Sequence, residues 1–189
     1  APKFPAYLSD WLIIRVKVKY LYVRNPMNVH QIGKISLDVE VVDGIVFWTK
    51  NPIPMLSKID QLKGYTYYFQ FTLTAYGPEI EPGLPSKNKK LIPAFQELSR
   101  KIGKEKVIWR YDPIFFNEKY TIEYHKKYFR VLATKLATYT EKCTISFLDL
   151  YRNIFAGVLY WYTEDVGPSN FCSFAYYIPP GVPAGGGTL

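Results

Sequence analysis

Apolar residues along the chain fall into short runs separated by longer stretches with helical spacing. Residues 5–18 read as a first helix, with Ser9 and Asp10 as caps and Trp11, Leu12, Ile14 and Val18 on one face. A short β-rich run at 20–24 ends in the turn residues Asn25-Pro26-Met27-Asn28, and 32–37 reads as a second short strand. The segment 41–48 holds a buried strand stopped by Thr49-Lys50-Asn51-Pro52. A helix over 54–62 follows, with Gly64 just past its end.

The same unit then recurs. Strands are predicted at 67–74, 107–111 and 142–148, and helices at 87–102 and 121–137. Gly103 closes the first of these helices and Thr121 caps the second, while Asp112-Pro113 stops the strand before it. A Pro- and Gly-containing loop occupies 75–85. Apolar strands alternating with amphipathic helices call for an α/β fold with a parallel sheet covered by helices. No Gly-x-Gly-x-x-Gly follows a strand and no phosphate-loop motif is present, which disfavours dinucleotide and nucleotide folds. A (β/α) barrel remains, complete or partial. A full one needs about 200–250 residues, so four or five strands in 152 residues indicate a partial TIM-like barrel with outer helices.

Composition changes this picture at one point. The 189 residues carry a formal charge of +8, but 153–189 contain no Lys or Arg and only Glu164 and Asp165 as acids. Residues 1–152 therefore hold all 24 basic residues and a net charge of +10. The expectation is a barrel domain over 1–152 and an atypical Gly-, Pro- and aromatic-rich tail over 153–189, disordered, or of frameshifted or chimeric origin, with a genuine lineage-specific ending as the rival explanation. The chain starts without Met, which fits either processing or missing upstream sequence. No apolar run approaches the roughly 18 residues of a membrane span. With no secretory signal either and two unclustered cysteines, the expected location is cytoplasmic.

In parallel α/β sheets, function collects where strands end. Those ends here are Arg24 to Asn28, Thr49-Lys50-Asn51, Gln70-Thr72-Thr74, Arg110-Asp112 and Ser146 to Asp149. Lys50, Arg110, Asp112 and Asp149 are the candidate catalytic residues. Arg24, Asn28, Asn51, Gln70 and Thr72 are the candidate substrate-binding residues. Lys50 and Arg110 suit a carboxylate or phosphate. Asp112 and Asp149 suit orientation, a hydroxyl or ammonium group, or an acid/base pair, as in a metal-free hydrolase. The bland alternative is a structural Arg110–Asp112 ion pair, with Asp112 and Asp149 capping loops.

His125 reads as a solvated helix position, and His30 has the better claim to a site. Cys143 reads as a buried small hydrophobe, and no metal-ligand spacing occurs. The basic residues Lys87, Lys89, Lys90, Arg100, Lys101, Lys104 and Lys106 read as a solvated face. The rival reading is a nucleic-acid surface on a non-catalytic binding module.

Four motifs occur in order: Arg24-Asn25-Pro26-Met27-Asn28, Val46-Phe47-Trp48-Thr49-Lys50-Asn51-Pro52, Tyr68-Phe69-Gln70-Phe71-Thr72-Leu73-Thr74 and Val107-Ile108-Trp109-Arg110-Tyr111-Asp112-Pro113. Through them, roughly residues 5–152 resemble the uncharacterised bacterial "domain of unknown function" family eighteen forty-eight. The resemblance implies a TIM-like barrel related to radical-SAM proteins of the spore photoproduct lyase kind. For intact members it implies a four-iron cluster and S-adenosylmethionine, held by a Cys-x-x-x-Cys-x-x-Cys segment. This sequence has only Cys143 and Cys172, so the expectation is a truncated member without cofactor. Its substrate is an unknown small molecule or nucleic acid, its partners include no membrane, and exposed sheet edges favour self-association.

Overall fold

The computed structural model describes residues 8–148. It begins with helix α1 (Ser9–Val18), which buries Leu12, Ile13 and Val16 and leaves Trp11, Ile14 and Val18 exposed. The expected face is thus rotated. The helix is apolar on most sides, so periodicity alone could not say which side the core would take. Ser9 does not cap α1. It lies inside the first turn, where its hydroxyl accepts a 3.0 Å hydrogen bond from Lys58.

Strands β1 (Tyr20–Asn25) and β2 (Asn28–Ser36) form an antiparallel hairpin, a two-stranded sheet of its own. This corrects the reading of Arg24 to Asn28 as part of the parallel sheet's rim. Those residues turn a hairpin whose tip residue Met27 is 92% exposed. Asn25 drives the turn by accepting from the backbone N–H of Met27 at 2.9 Å.

The parallel sheet comprises β3 (Ile45–Thr49), β4 (Tyr67–Thr72), β5 (Val107–Ile114) and β6 (Cys143–Phe147), in the order β3-β4-β5-β6. The crossovers carry α2 (Ile53–Leu56) with a following 3-10 turn, α3 (Ile92–Ile102) and α4 (Ile122–Leu136). The helix expected over 54–62 is split after Leu56. The one expected over 87–102 opens as a wide π turn at Lys87–Leu91. Strand β5 does not stop at Asp112 but runs through Pro113 to Ile114, with its register to β6 shifted after Tyr111. Proline is accommodated there because a bulge needs no ladder hydrogen bond from it. As expected, Gly103 (φ 94°) closes α3 and Thr121 caps α4 by accepting from Tyr124.

Alternation along the strands gives the sheet two unlike faces. Phe47, Phe69, Phe71, Val107, Trp109, Tyr111, Cys143 and Ile145 point to one side and are fully or almost fully buried. They share one core with Met55, Leu98, Phe129 and Leu132 of the helices. Phe71 stacks on Phe95 at 5.1 Å and Trp109 on Phe129 at 4.8 Å. Burying such rings supplies about 2–3 kcal/mol each and dominates the fold's stability. The opposite face presents Val46, Trp48, Tyr68, Gln70, Thr72, Arg110, Thr144 and Ser146, none of them buried.

Candidate functional site

The open face carries a connected polar group. Arg110 and Asp112 are two residues apart on β5 and therefore share a side. The Arg110 Nε donates to Asp112 Oδ1 at 2.9 Å, and Nη2 donates to Oδ2 in the second arm of a bidentate pair. Nη1 donates to Gln70 Oε1 at 2.5 Å across to β4. This is a diagonal contact, because Arg110 pairs with Thr72 in register. The guanidinium also lies 5.1 Å over the Trp48 ring, and Ser146 of β6 donates to Asp112 at 3.4 Å. Four strands thus deliver one cluster. The Asp112 hydrogen bond raises the Arg110 pKa above its ordinary value against the opposing effect of burial, so the guanidinium is permanently charged. Two of its five N–H groups are not engaged by these contacts.

A second polar centre sits where β3 and β4 end. The Glu81 side chain, only 3% exposed, lies in the β4–α3 loop. Its Oε1 accepts from Lys50 at 2.6 Å, and its Oε2 accepts from Lys87 at 2.5 Å and from Thr74 at 3.0 Å. Burial works to raise the Glu81 pKa, but the hydrogen bonds and charges of the two lysines outweigh it, leaving a lowered pKa. Lys87 moves down in turn. Its burial outweighs the return from a carboxylate that it shares with Lys50. The same loop is tied on its other side by Glu79, which accepts from Lys119 and Tyr120 and is held down to about 2 by those bonds.

The predicted residues therefore separate. Gln70, Arg110 and Asp112 come together, with Thr72 beside them in register. Lys50 belongs to the Glu81 centre. Asn51 accepts from the backbone of Ile53 at 3.2 Å and shapes the entry to α2. Arg24 and Asn28 lie on the hairpin, where Asn28 accepts from His30 N at 3.2 Å, and His30 is exposed there. Asp149 and the segment 153–189 lie outside the described residues. Sequence reasoning missed Glu81, an acid inside a Pro-rich loop with no periodic signal. It missed Trp48, although alternation from Phe47 would have placed it on the open face.

Two further readings are corrected. His125 is buried, not solvated: Nε2 meets the Phe115 carbonyl at 3.1 Å and Nδ1 meets the Tyr111 hydroxyl at 3.0 Å. A carbonyl only accepts, so Nε2 carries the proton and Nδ1 accepts from tyrosine. Burial lowers the His125 pKa below 6.5 and keeps it neutral. Lys87, counted with the solvated basic run, is half-buried on Glu81 and does not extend an exposed basic stripe.

Cys143 is buried in β6 among the core side chains. Among the described residues no three His, Cys, Asp or Glu side chains gather into a set able to hold a metal ion. The described residues thus do not fit the iron–sulfur cluster that the resemblance implies. No helix among them is long and apolar enough to cross a membrane.

A family model described as "Domain of unknown function (DUF1848)" matches residues 3–169. The match runs past Arg152, where the charge pattern changes. No curated protein and no solved structure is significantly similar to the chain.

Proposed function

The chain belongs to the DUF1848 family, and from that footing we propose that it is the substrate-binding sector of a (β/α)-barrel enzyme acting on a small anionic molecule. The observation that carries this is the Trp48–Gln70–Arg110–Asp112–Ser146 cluster, drawn from all four strands of the parallel sheet onto its open face. Packing alone gives no reason to place a guanidinium, a carboxylate and an exposed indole there.

The barrel reading rests on strand order. A sequential β3-β4-β5-β6 order with crossovers of one hand puts every helix on the same side, as in a barrel wall. A doubly wound sheet would reverse its order at some point. In a barrel wall the open face is the interior, and its carboxyl-end rim is where ligands bind.

Roles follow from the contacts. Trp48 offers a flat surface, 56% exposed, for the body of the ligand. Arg110, fixed in orientation by Asp112 and Gln70, turns its unengaged N–H groups to a carboxylate or phosphate. Asp112, oriented by Arg110 and Ser146, is the candidate acid/base. No step is assigned to an iron–sulfur cluster or to S-adenosylmethionine. The unclustered cysteines fit a cytoplasmic setting.

Trp48 fluorescence tests the reading. A panel of small carboxylates and phosphate esters is expected to contain members that change its emission saturably. The change disappears in Trp48→Phe and weakens about tenfold or more in Arg110→Lys, which loses the planar fork. A panel with no saturable change, or one indifferent to Arg110→Lys, defeats the proposal.

A further inference from the structure

Among the described residues, three ammonium groups surround the β4–α3 loop and two carboxylates answer them. Lys119 is matched by Glu79. Lys50 and Lys87 share Glu81. One positive charge is therefore left over. Lys87 uses a second N–H on the Tyr76 carbonyl, whereas Lys50 makes one hydrogen bond among the described residues. Its side chain is 38% exposed, at the carboxyl end of β3.

A structural purpose does not account for this surplus. Neutralising a buried carboxylate takes one lysine, and a second like charge on the same group costs Coulomb energy. The extra charge is useful where an anion completes the set. Its position, at adjoining strand ends of a parallel sheet, is where such folds bind ligands. An ammonium group is a compact point charge with donors in three directions, matched to a phosphate group more than to the flat fork of a carboxylate.

We propose that Lys50 and Lys87, held together by the buried Glu81, form a binding site for a phosphate group. Glu81 positions the two lysines, and Lys50 makes the direct contact through its free N–H donors. The site does not depend on the Trp48–Arg110 face and stands or falls separately from it.

The test is calorimetric titration of the full chain with inorganic phosphate at low ionic strength. Saturable uptake is expected, at least about tenfold weaker in Lys50→Gln. Lys50→Arg, which keeps the charge, retains uptake. Lys89→Gln, an exposed lysine in the same segment, stays within about twofold of the parent. Circular dichroism establishes that each variant is folded. Absence of saturable uptake in the parent overturns the proposal. So does equal weakening in Lys50→Gln and Lys89→Gln, which marks diffuse attraction to a basic protein. Loss in Lys50→Arg as complete as in Lys50→Gln points to packing instead of charge and overturns it as well.

Discussion

Trp109 and Trp48 stand on neighbouring parts of one sheet and live in opposite environments. Trp109 is fully buried on the helix side, stacked on Phe129, with its indole N–H donating to the Leu73 carbonyl at 2.9 Å. Trp48 is more than half exposed on the open side, with the Arg110 guanidinium over its ring. Residues one step apart on a strand face opposite ways, so a few strands carry a complete apolar core and a polar cluster at once. The helix side holds the fold together, and the open side is free to do chemistry.

The sharpest way to break that contrast is to truncate both indoles. Trp109→Ala is expected to cost about 3–5 kcal/mol, because it opens a cavity and strands the Leu73 carbonyl. Trp48→Ala is expected to cost under about 1 kcal/mol. Denaturant unfolding curves measure both, and equal losses would erase the distinction between the faces.

A smaller effect comes from polar groups on each side. On the helix side, His125→Leu leaves the Tyr111 hydroxyl and Phe115 carbonyl without their partner, at about 1–3 kcal/mol. On the open side, Arg110→Lys keeps a positive charge beside Asp112, whose side chain is only 11% exposed, and loses the planar fork. About 1 kcal/mol is expected there, together with a weakened ligand response. If Arg110→Lys costs clearly more than His125→Leu in the same unfolding assay, the open cluster is a structural element and its functional reading weakens.

The smallest expected effect is in pH dependence. His125 titrates below its ordinary value of 6.5 in the folded chain because it is buried. Between that folded value and 6.5 the unfolded chain binds more protons. Stability is therefore fully present above pH 6.5 and declines as pH falls through this window. Melting temperatures of the parent and of His125→Leu across pH 5–8 check the sign, since the variant should lose this part of the slope.

Much of the fold was legible because local physics sufficed. Strands β3 to β6 are apolar runs bounded by turn residues, Gly103 ends α3 and Thr121 caps α4, each through a short-range effect. The Arg110–Asp112 pair was legible too, since a spacing of two on a strand forces a shared face. What failed depended on distant partners. The 20–36 segment scans as two ordinary strands, and only its own antiparallel pairing separates it from the parallel sheet. His125 sits among polar neighbours in sequence, yet Tyr111 and Phe115 enclose it. Glu81 has no local signature at all.

By itself, then, the sequence determined element type, the parallel α/β class and the alternation that makes a two-faced sheet. These follow from propensity, period and turn chemistry within about ten residues. The tertiary structure alone decided which polar groups meet. It joined Gln70 to Arg110 across 40 residues and Lys50 to Glu81 across 31. Such meetings are set by strand register and loop path, and a buried charge is tolerated only where that path delivers its partners.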